Sequence, residues 1–231
     1  MNLLEIDGMT VVRGGKPALT DVSLAAGPGD CVVIFGRFGS GKHSFIQSIT
    51  GVVRPNAGTL RIQDPRPEPR LPVAYVSLEG LLSNLTLIEN AILPTLYHRL
   101  LSRNEARARA MEIFAQLGIA ALAGHRPDGI GNGARRLAQV ARALLLDPTV
   151  YVFDDPLEEI DIEAAQRVRS VLQDLKARAQ SVVIVATTGT LRPYLDWAQR
   201  FCWARAWRVQ TFAGKEELLA CPTADLKVYL S

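Results

Sequence analysis

The residues best placed for chemistry in this 231-residue chain lie between Phe35 and Phe45, in the stretch FGRFGSGKHSF. Gly36, Gly39, Ser40, Gly41 and Lys42 have the types and spacing of a phosphate-binding loop. Such a loop works because successive backbone N–H groups converge on an anion. The helix that follows adds the partial positive charge of its amino terminus, and the lysine reaches the β- and γ-phosphates. The next residue should carry a hydroxyl for the magnesium of a bound nucleotide, but it is His43, with Ser44 one place later. One helical step turns Ser44 by about 100° away from such an ion, and imidazole is a poor substitute for the hard oxygen ligands magnesium prefers.

A second group of residues closes the run TVYVFDD. An apolar strand that ends in Asp154 puts a carboxylate at the carboxyl edge of a sheet, where α/β folds bind ligands. Asp154 is the candidate magnesium ligand, and Asp155 is the candidate for polarising an attacking water.

These residues need elements to hold them. CVVIF (31–35) reads as a strand buried on both faces, running into the glycine loop and then a helix over 42–50. Residues 3–26 read as strands and turns with a break at Gly14 and Gly15, and GTLRIQ and PVAYVSL as further strands. DPRPEPR is too proline-rich for anything but a turn or linker. Thr86 to about Leu122 is helical in pattern, with Ala110, Ile113, Phe114 and Leu117 on one apolar face. The loop AGHRPDGIGNG precedes the helix ARRLAQVARALLL; then come TVYVF, the helix IEAAQRVRSVLQDLKARA, the strand SVVIVAT, a strand pair within RFCWARAWRVQTF and two short helices. Alternating strands and helices predict an α/β fold with a mainly parallel sheet. A helical insertion interrupts it near residues 80–145.

Composition narrows the function classes. The net charge of +3 is too small, and too evenly spread, to suggest nucleic acid. Cys31, Cys202 and Cys221 are few, odd in number and far apart, which predicts free buried thiols. MNLLEIDGMTVV carries no basic segment followed by a long apolar run, so no secretory leader is expected, and the apolar runs are far shorter than the ~20 residues of a membrane helix. His98 and His125 have no ligand-like neighbours. Trp197, Trp203 and Trp207 are expected in the core or an interface.

The chain resembles the nucleotide-binding subunits of ABC transporters over nearly its whole length. The resemblance rests on LTDVSLAAGPGDCVVIFGRFGSGKHSFIQSITGVVRPNAGTLRI, on NLTLIENAILP, and on IGNGARRLAQVARALLLDPTVYVFDDPLEEID. The ending KEELLACPTADLKVYLS is similar to that of the ATPases serving MCE-type lipid transporters. The resemblance implies a P-loop NTPase fold of the ABC cassette type, a single domain over 1–231 with a RecA-like core and an antiparallel β subdomain in about 1–80 and 146–231 and a helical signature subdomain over about 81–145, with ATP and magnesium as cofactors. It also implies an integral-membrane permease as partner, a homodimer or a heterodimer with another ABC ATPase subunit, and a place on the cytoplasmic face of the inner membrane. A DNA- or ribosome-directed relative would carry a coiled-coil insertion or second cassette, and this chain has neither, so no nucleic acid is expected.

The same resemblance assigns roles that this chain fills irregularly. Arg13 stands at the adenine-stacking aromatic, where a guanidinium plane also stacks on a base. Leu78 stands at the glutamine that senses the ion and the permease. Asp155, one methylene short, stands at the glutamate base, which must come within about 2.6–3.2 Å of its water. Thr188 replaces the switch histidine, keeping a hydroxyl but losing reach. Gly131, Asn132 and Gly133 stand in the signature, usually Leu-Ser-Gly-Gly-Gln, whose serine meets the γ-phosphate across the dimer. Asp161 is the retained aspartate of the following loop. Because both the phosphate side and the signature side are altered, pairing with a regular subunit would not complete a standard site. Weak or absent ATP hydrolysis is therefore expected, with two alternatives: a scaffold that does not hydrolyse ATP, and an active ATPase with unusual motifs.

Overall fold

The computed structural model describes residues 1–66, 71–77 and 80–230. Part of the proline-rich linker (67–70) and the Leu78–Glu79 pair lie outside them.

Nine strands form two sheets among the described residues. β1 (Leu4–Arg13), β2 (Lys16–Ala26) and β4 (Ala57–Ile62) make a three-stranded antiparallel sheet in the order β2-β1-β4. β5 (Val73–Val76), β6 (Val150–Asp154), β7 (Val182–Thr187), β3 (Cys31–Phe35), β8 (Arg200–Arg205) and β9 (Arg208–Phe212) make a six-stranded sheet in that order. It is parallel except for β9, which returns antiparallel beside β8. This is the mainly parallel sheet that the alternation predicts, with the antiparallel β part that the resemblance implies.

The central strands are continuous apolar runs because each has two faces to bury. Side chains alternate across a strand, so Cys31, Val33 and Phe35 join Tyr151, Phe153, Val183 and Val185 in one core layer. Val32 and Ile34 join Val150, Val152, Val182 and Ile184 in the other. The second layer is closed by α1 (Lys42–Ile49) and the antiparallel sheet, the first by helices including α2 (Leu87–Tyr97), α3 (Arg103–Gln116), α4 (Asn132–Leu146) and α5 (Ile162–Arg178). Ala110, Phe114 and Leu117 are buried as the apolar-face reading requires, with Ile113 packed at the margin. Two capping boxes start the helical insertion: Thr86 with Glu89 on α2 and Ser102 with Glu105 on α3. Each pairs two otherwise orphaned helix-end groups. α6 (Lys215–Ala220) and α7 (Ala224–Leu230) complete the chain.

Two local expectations are corrected, and a third is narrowed. α4 begins at Asn132, so Asn132 and Gly133 are in the first helical turn and not in the preceding loop. Trp207, 53% exposed, lies outside the core, unlike Trp197 and Trp203, because it sits at the turn between β8 and β9 with positive φ. Cys221 is only partly buried, while Cys31 and Cys202 are fully buried thiols.

Candidate functional site

The site residues collect where β3, β6 and β7 end. β3 delivers the chain directly into the glycine loop, and α1 begins at Lys42 with Gly41 as its cap. Two glycines are steric requirements. At Gly36 (φ +151°) a Cβ would run into the Ala204 carbonyl of the neighbouring β8, and at Gly41 (φ +105°) into the Ala18 carbonyl and Leu19 of β2. The loop therefore lies closer to both sheets than any side chain would allow.

Lys42 is 7% exposed. Its Nζ donates to the Gly36 carbonyl at 2.5 Å and the Arg37 carbonyl at 3.0 Å. The ammonium is thus folded onto the loop's own acceptors. Burial pulls its pKa down, against the pull of Asp155 and Asp154, which favour the charged form. The Ser40 hydroxyl is buried with no hydrogen-bond partner among the described residues. A buried hydroxyl of that kind and an ammonium resting on carbonyls fit a loop shaped around an anion. Gly36, Gly39, Ser40, Gly41 and Lys42 thus fit the phosphates of a nucleotide, held by backbone N–H groups, the Ser40 hydroxyl and the Lys42 ammonium.

His43 is exposed on the outer face of α1. Its Nε2 meets the Gln47 side-chain nitrogen at 2.9 Å, and the Gln47 carbonyl oxygen accepts from Arg13. Arg13, at the end of β1, is thereby joined to His43 through one glutamine. Gln47 lies four residues beyond His43, the spacing at which helical side chains meet. Ser44 is half-buried, one position round the helix.

At the end of β6, Asp154 accepts from the Tyr75 hydroxyl at 2.9 Å. Burial raises the Asp154 pKa; the Tyr75 hydrogen bond opposes it, Asp155 adds to it, and His43 and Lys42 oppose it. Asp155 leaves the strand with φ +43°. One Asp155 oxygen accepts from the Thr188 backbone N–H at 2.7 Å, and the other from the Thr188 hydroxyl at 3.1 Å. β6 and β7 pair in register, Asp154 opposite Ala186, which brings the two segments just past the strand ends together. Thr188 does reach the carboxylate, because Asp155 turns toward it. Arg136 of α4, almost wholly buried, donates to the Asp154 carbonyl and the Asp155 carbonyl, each at 3.2 Å. Burial lowers its pKa while both carboxylates favour its charge.

Gly131 caps α4 without a side-chain bond, and no acidic residue lies in the first turn. Asp161 caps α5, one oxygen accepting from the Ala164 N–H at 2.8 Å. Its other oxygen lies where a Cβ on Gly133 would stand. Gly131, Asn132, Gly133 and Asp161 thus form a second group, at the starts of α4 and α5. Leu78 lies outside the described residues.

The family model described as "ABC transporter" matches residues 19–158. This chain belongs to the ABC transporter family. It is an ATP-binding domain of that family, and its fold is the ABC cassette. It is 30% identical over 200 residues to the lipoprotein-releasing system ATP-binding protein LolD of Chromohalobacter salexigens, covering 80% of this chain and 84% of that protein. It is 28% identical to the arginine/ornithine transport ATP-binding protein AotP of Pseudomonas aeruginosa, covering 100% of this chain and 98% of that protein. To the macrolide export ATP-binding/permease protein MacB 1/2 of Paracoccus denitrificans it is 32% identical, spanning only 27% of that longer protein. An ATP-binding cassette solved as a dimer in a post-hydrolysis state with ADP and Pi matches with a TM-score of 0.79 at 23% identity, covering 91% of this chain and 98% of that one. Among the described residues, no helix of this ABC cassette is long and apolar enough to cross a membrane.

Magnesium fits this donor set badly. The ion requires oxygens in a tight octahedron. Asp154 already has one oxygen on Tyr75, and position 43 offers a nitrogen turned to Gln47. Sequence reasoning missed Tyr75, Arg136 and Gln47. The four-residue spacing from His43 to Gln47 was available in the sequence; the other two depend on strand pairing and helix packing.

Proposed function

We propose that this ABC cassette is the nucleotide-binding subunit of a membrane transport system, binding ATP through Gly36–Lys42 and hydrolysing it weakly or not at all. The observation that carries this reading is the Asp155 carboxylate, whose two oxygens are both occupied by Thr188. A general base must face its water within hydrogen-bond reach; a shorter carboxylate bonded to protein at both oxygens is poorly set to do so. The altered signature adds to this, since the loss of one oriented transition-state donor typically costs ~10²–10³ in rate.

In this reading, the subunit sits on the cytoplasmic face of an integral-membrane permease, as a homodimer or with a second ABC ATPase subunit. The helical insertion and the segment before it receive the permease. Lipid is the proposed cargo, supported by the resemblance of the carboxyl terminus to ATPases of MCE-type systems. The named relatives range over lipoprotein release, arginine/ornithine transport and macrolide export, so family membership alone does not select a cargo.

The test is ATP binding by calorimetry and phosphate release by the purified chain, alone and with its permease. Binding with release no faster than that of Lys42→Ala is expected. Robust, Lys42-dependent release overturns the reading.

A further inference from the structure

We propose that this cassette binds ATP without needing a divalent cation, because position 43 presents an imidazole committed to Gln47 where the ion requires an oxygen. The inference rests on the nucleotide-binding reading above but not on the rate of hydrolysis.

The Tyr75–Asp154 contact follows from strand register. In the parallel β5–β6 ladder Tyr75 lies opposite Val152. Asp154 is two residues beyond Val152, on the same face of the strand. The phenol is long enough to span that diagonal, and its hydroxyl donates to Asp154 Oδ2 at 2.9 Å. A hydrogen bond to a carboxylate is among the stronger kinds available to a side chain, and this one orients Asp154 and engages one of its two oxygens.

The second position tells the same story through different atoms. The Gln47 carbonyl oxygen accepts from Arg13, so its amide nitrogen faces His43 as a donor, and the His43 Nε2 lone pair is the acceptor. The ring nitrogen nearest Gln47 is therefore committed to protein. Tyr75 and Gln47 lie on different elements, β5 and α1, and each engages one of the two side chains expected to hold the ion. The positive charge facing the phosphates then comes from the buried Lys42 ammonium.

The experiment measures ATP affinity of the full chain by calorimetry in magnesium chloride and in EDTA, for wild type and separately for His43→Ser and Tyr75→Phe. A parallel titration of manganese, followed by electron paramagnetic resonance in the presence of ADP, reads the ion directly. Wild type is expected to bind ATP equally in both buffers and to hold no tight manganese. His43→Ser is expected to gain a magnesium preference of at least the ~10-fold that changes beside a metal's ligands produce, and Tyr75→Phe alone is expected to gain none.

A wild-type affinity about 10-fold weaker in EDTA overturns the proposal without needing any variant, and a folded His43→Ser variant indifferent to magnesium overturns it as well. No ATP binding in either buffer overturns both this inference and the nucleotide-binding reading. Fast turnover with magnesium-insensitive binding overturns only the weak-hydrolysis reading.

Discussion

The glycine loop and the carboxylate edge stand at the same end of one sheet, separated by β7, yet their polar groups are in opposite conditions. In the loop, the Ser40 hydroxyl has no partner among the described residues and the Lys42 ammonium rests on backbone carbonyls that an incoming anion would replace. At the edge, Asp154 is held by Tyr75 and both oxygens of Asp155 by Thr188. The difference separates binding from chemistry. Phosphate binding draws on backbone N–H groups and on glycines that no side chain can replace, whereas catalysis draws on particular side-chain atoms that substitution removes one at a time.

The largest expected effect tests whether the edge limits turnover. Reinstating the family residues together (His43→Ser, Gly131→Ser, Asp155→Glu and Thr188→His) is expected to raise phosphate release by ~10²–10³. Release that stays at background would place the block elsewhere. Next, ATP at 100 times its Kd should stabilise wild type by about 2.7 kcal/mol in denaturant unfolding, and Lys42→Ala should lose this gain. A gain retained in the variant would mean that the loop does not carry binding. Gly41→Ala forces a Cβ toward the Ala18 carbonyl at φ +105°, and should lower nucleotide-free stability by about 1–3 kcal/mol. An unchanged unfolding midpoint would show that the loop yields at β2 without cost.

The smallest effect comes from a carboxylate outside both regions. Asp64 bonds Arg66 at 2.7 Å and Thr149 at 2.6 Å. The Arg66 hydrogen bond above all holds its pKa well below the usual 3.8, against the raising effect of burial. A depressed folded pKa contributes stability that is full above the unfolded value and lost as pH falls toward the folded one. Asp64→Asn should therefore make the decline of stability below about pH 4 shallower. An identical acid profile would remove Asp64 as a structural counterpart to the site carboxylates.

Much of the fold was legible because its strands and helices carry strong periodic signals. CVVIF, TVYVF and SVVIVAT are continuous apolar runs, and each is a buried strand. The loop was legible because its glycines and lysine are close in sequence. The carboxylate edge was legible only as a set of residue types. That Thr188 reaches Asp155, and that Asp161 caps its own helix beside Gly133, depended on a turn at positive φ and on helix-start geometry. Trp207 lies outside the core for a related reason: an aromatic residue at a two-residue turn has no facing layer within the chain to enter.

The sequence by itself determined the family, the order of elements and the phosphate loop, since these depend on neighbours along the chain. Only the tertiary structure decided what the site carboxylates bond to. Tyr75 meets Asp154 across 79 positions and Thr188 meets Asp155 across 33, distances that parallel strand register closes and that no local pattern encodes. The β5–β6 register sets Tyr75 diagonal to Asp154, and the β6–β7 register sets Thr188 against Asp155. Side chains on paired strands become neighbours through hydrogen-bonded alignment of the backbones, whatever their separation in sequence.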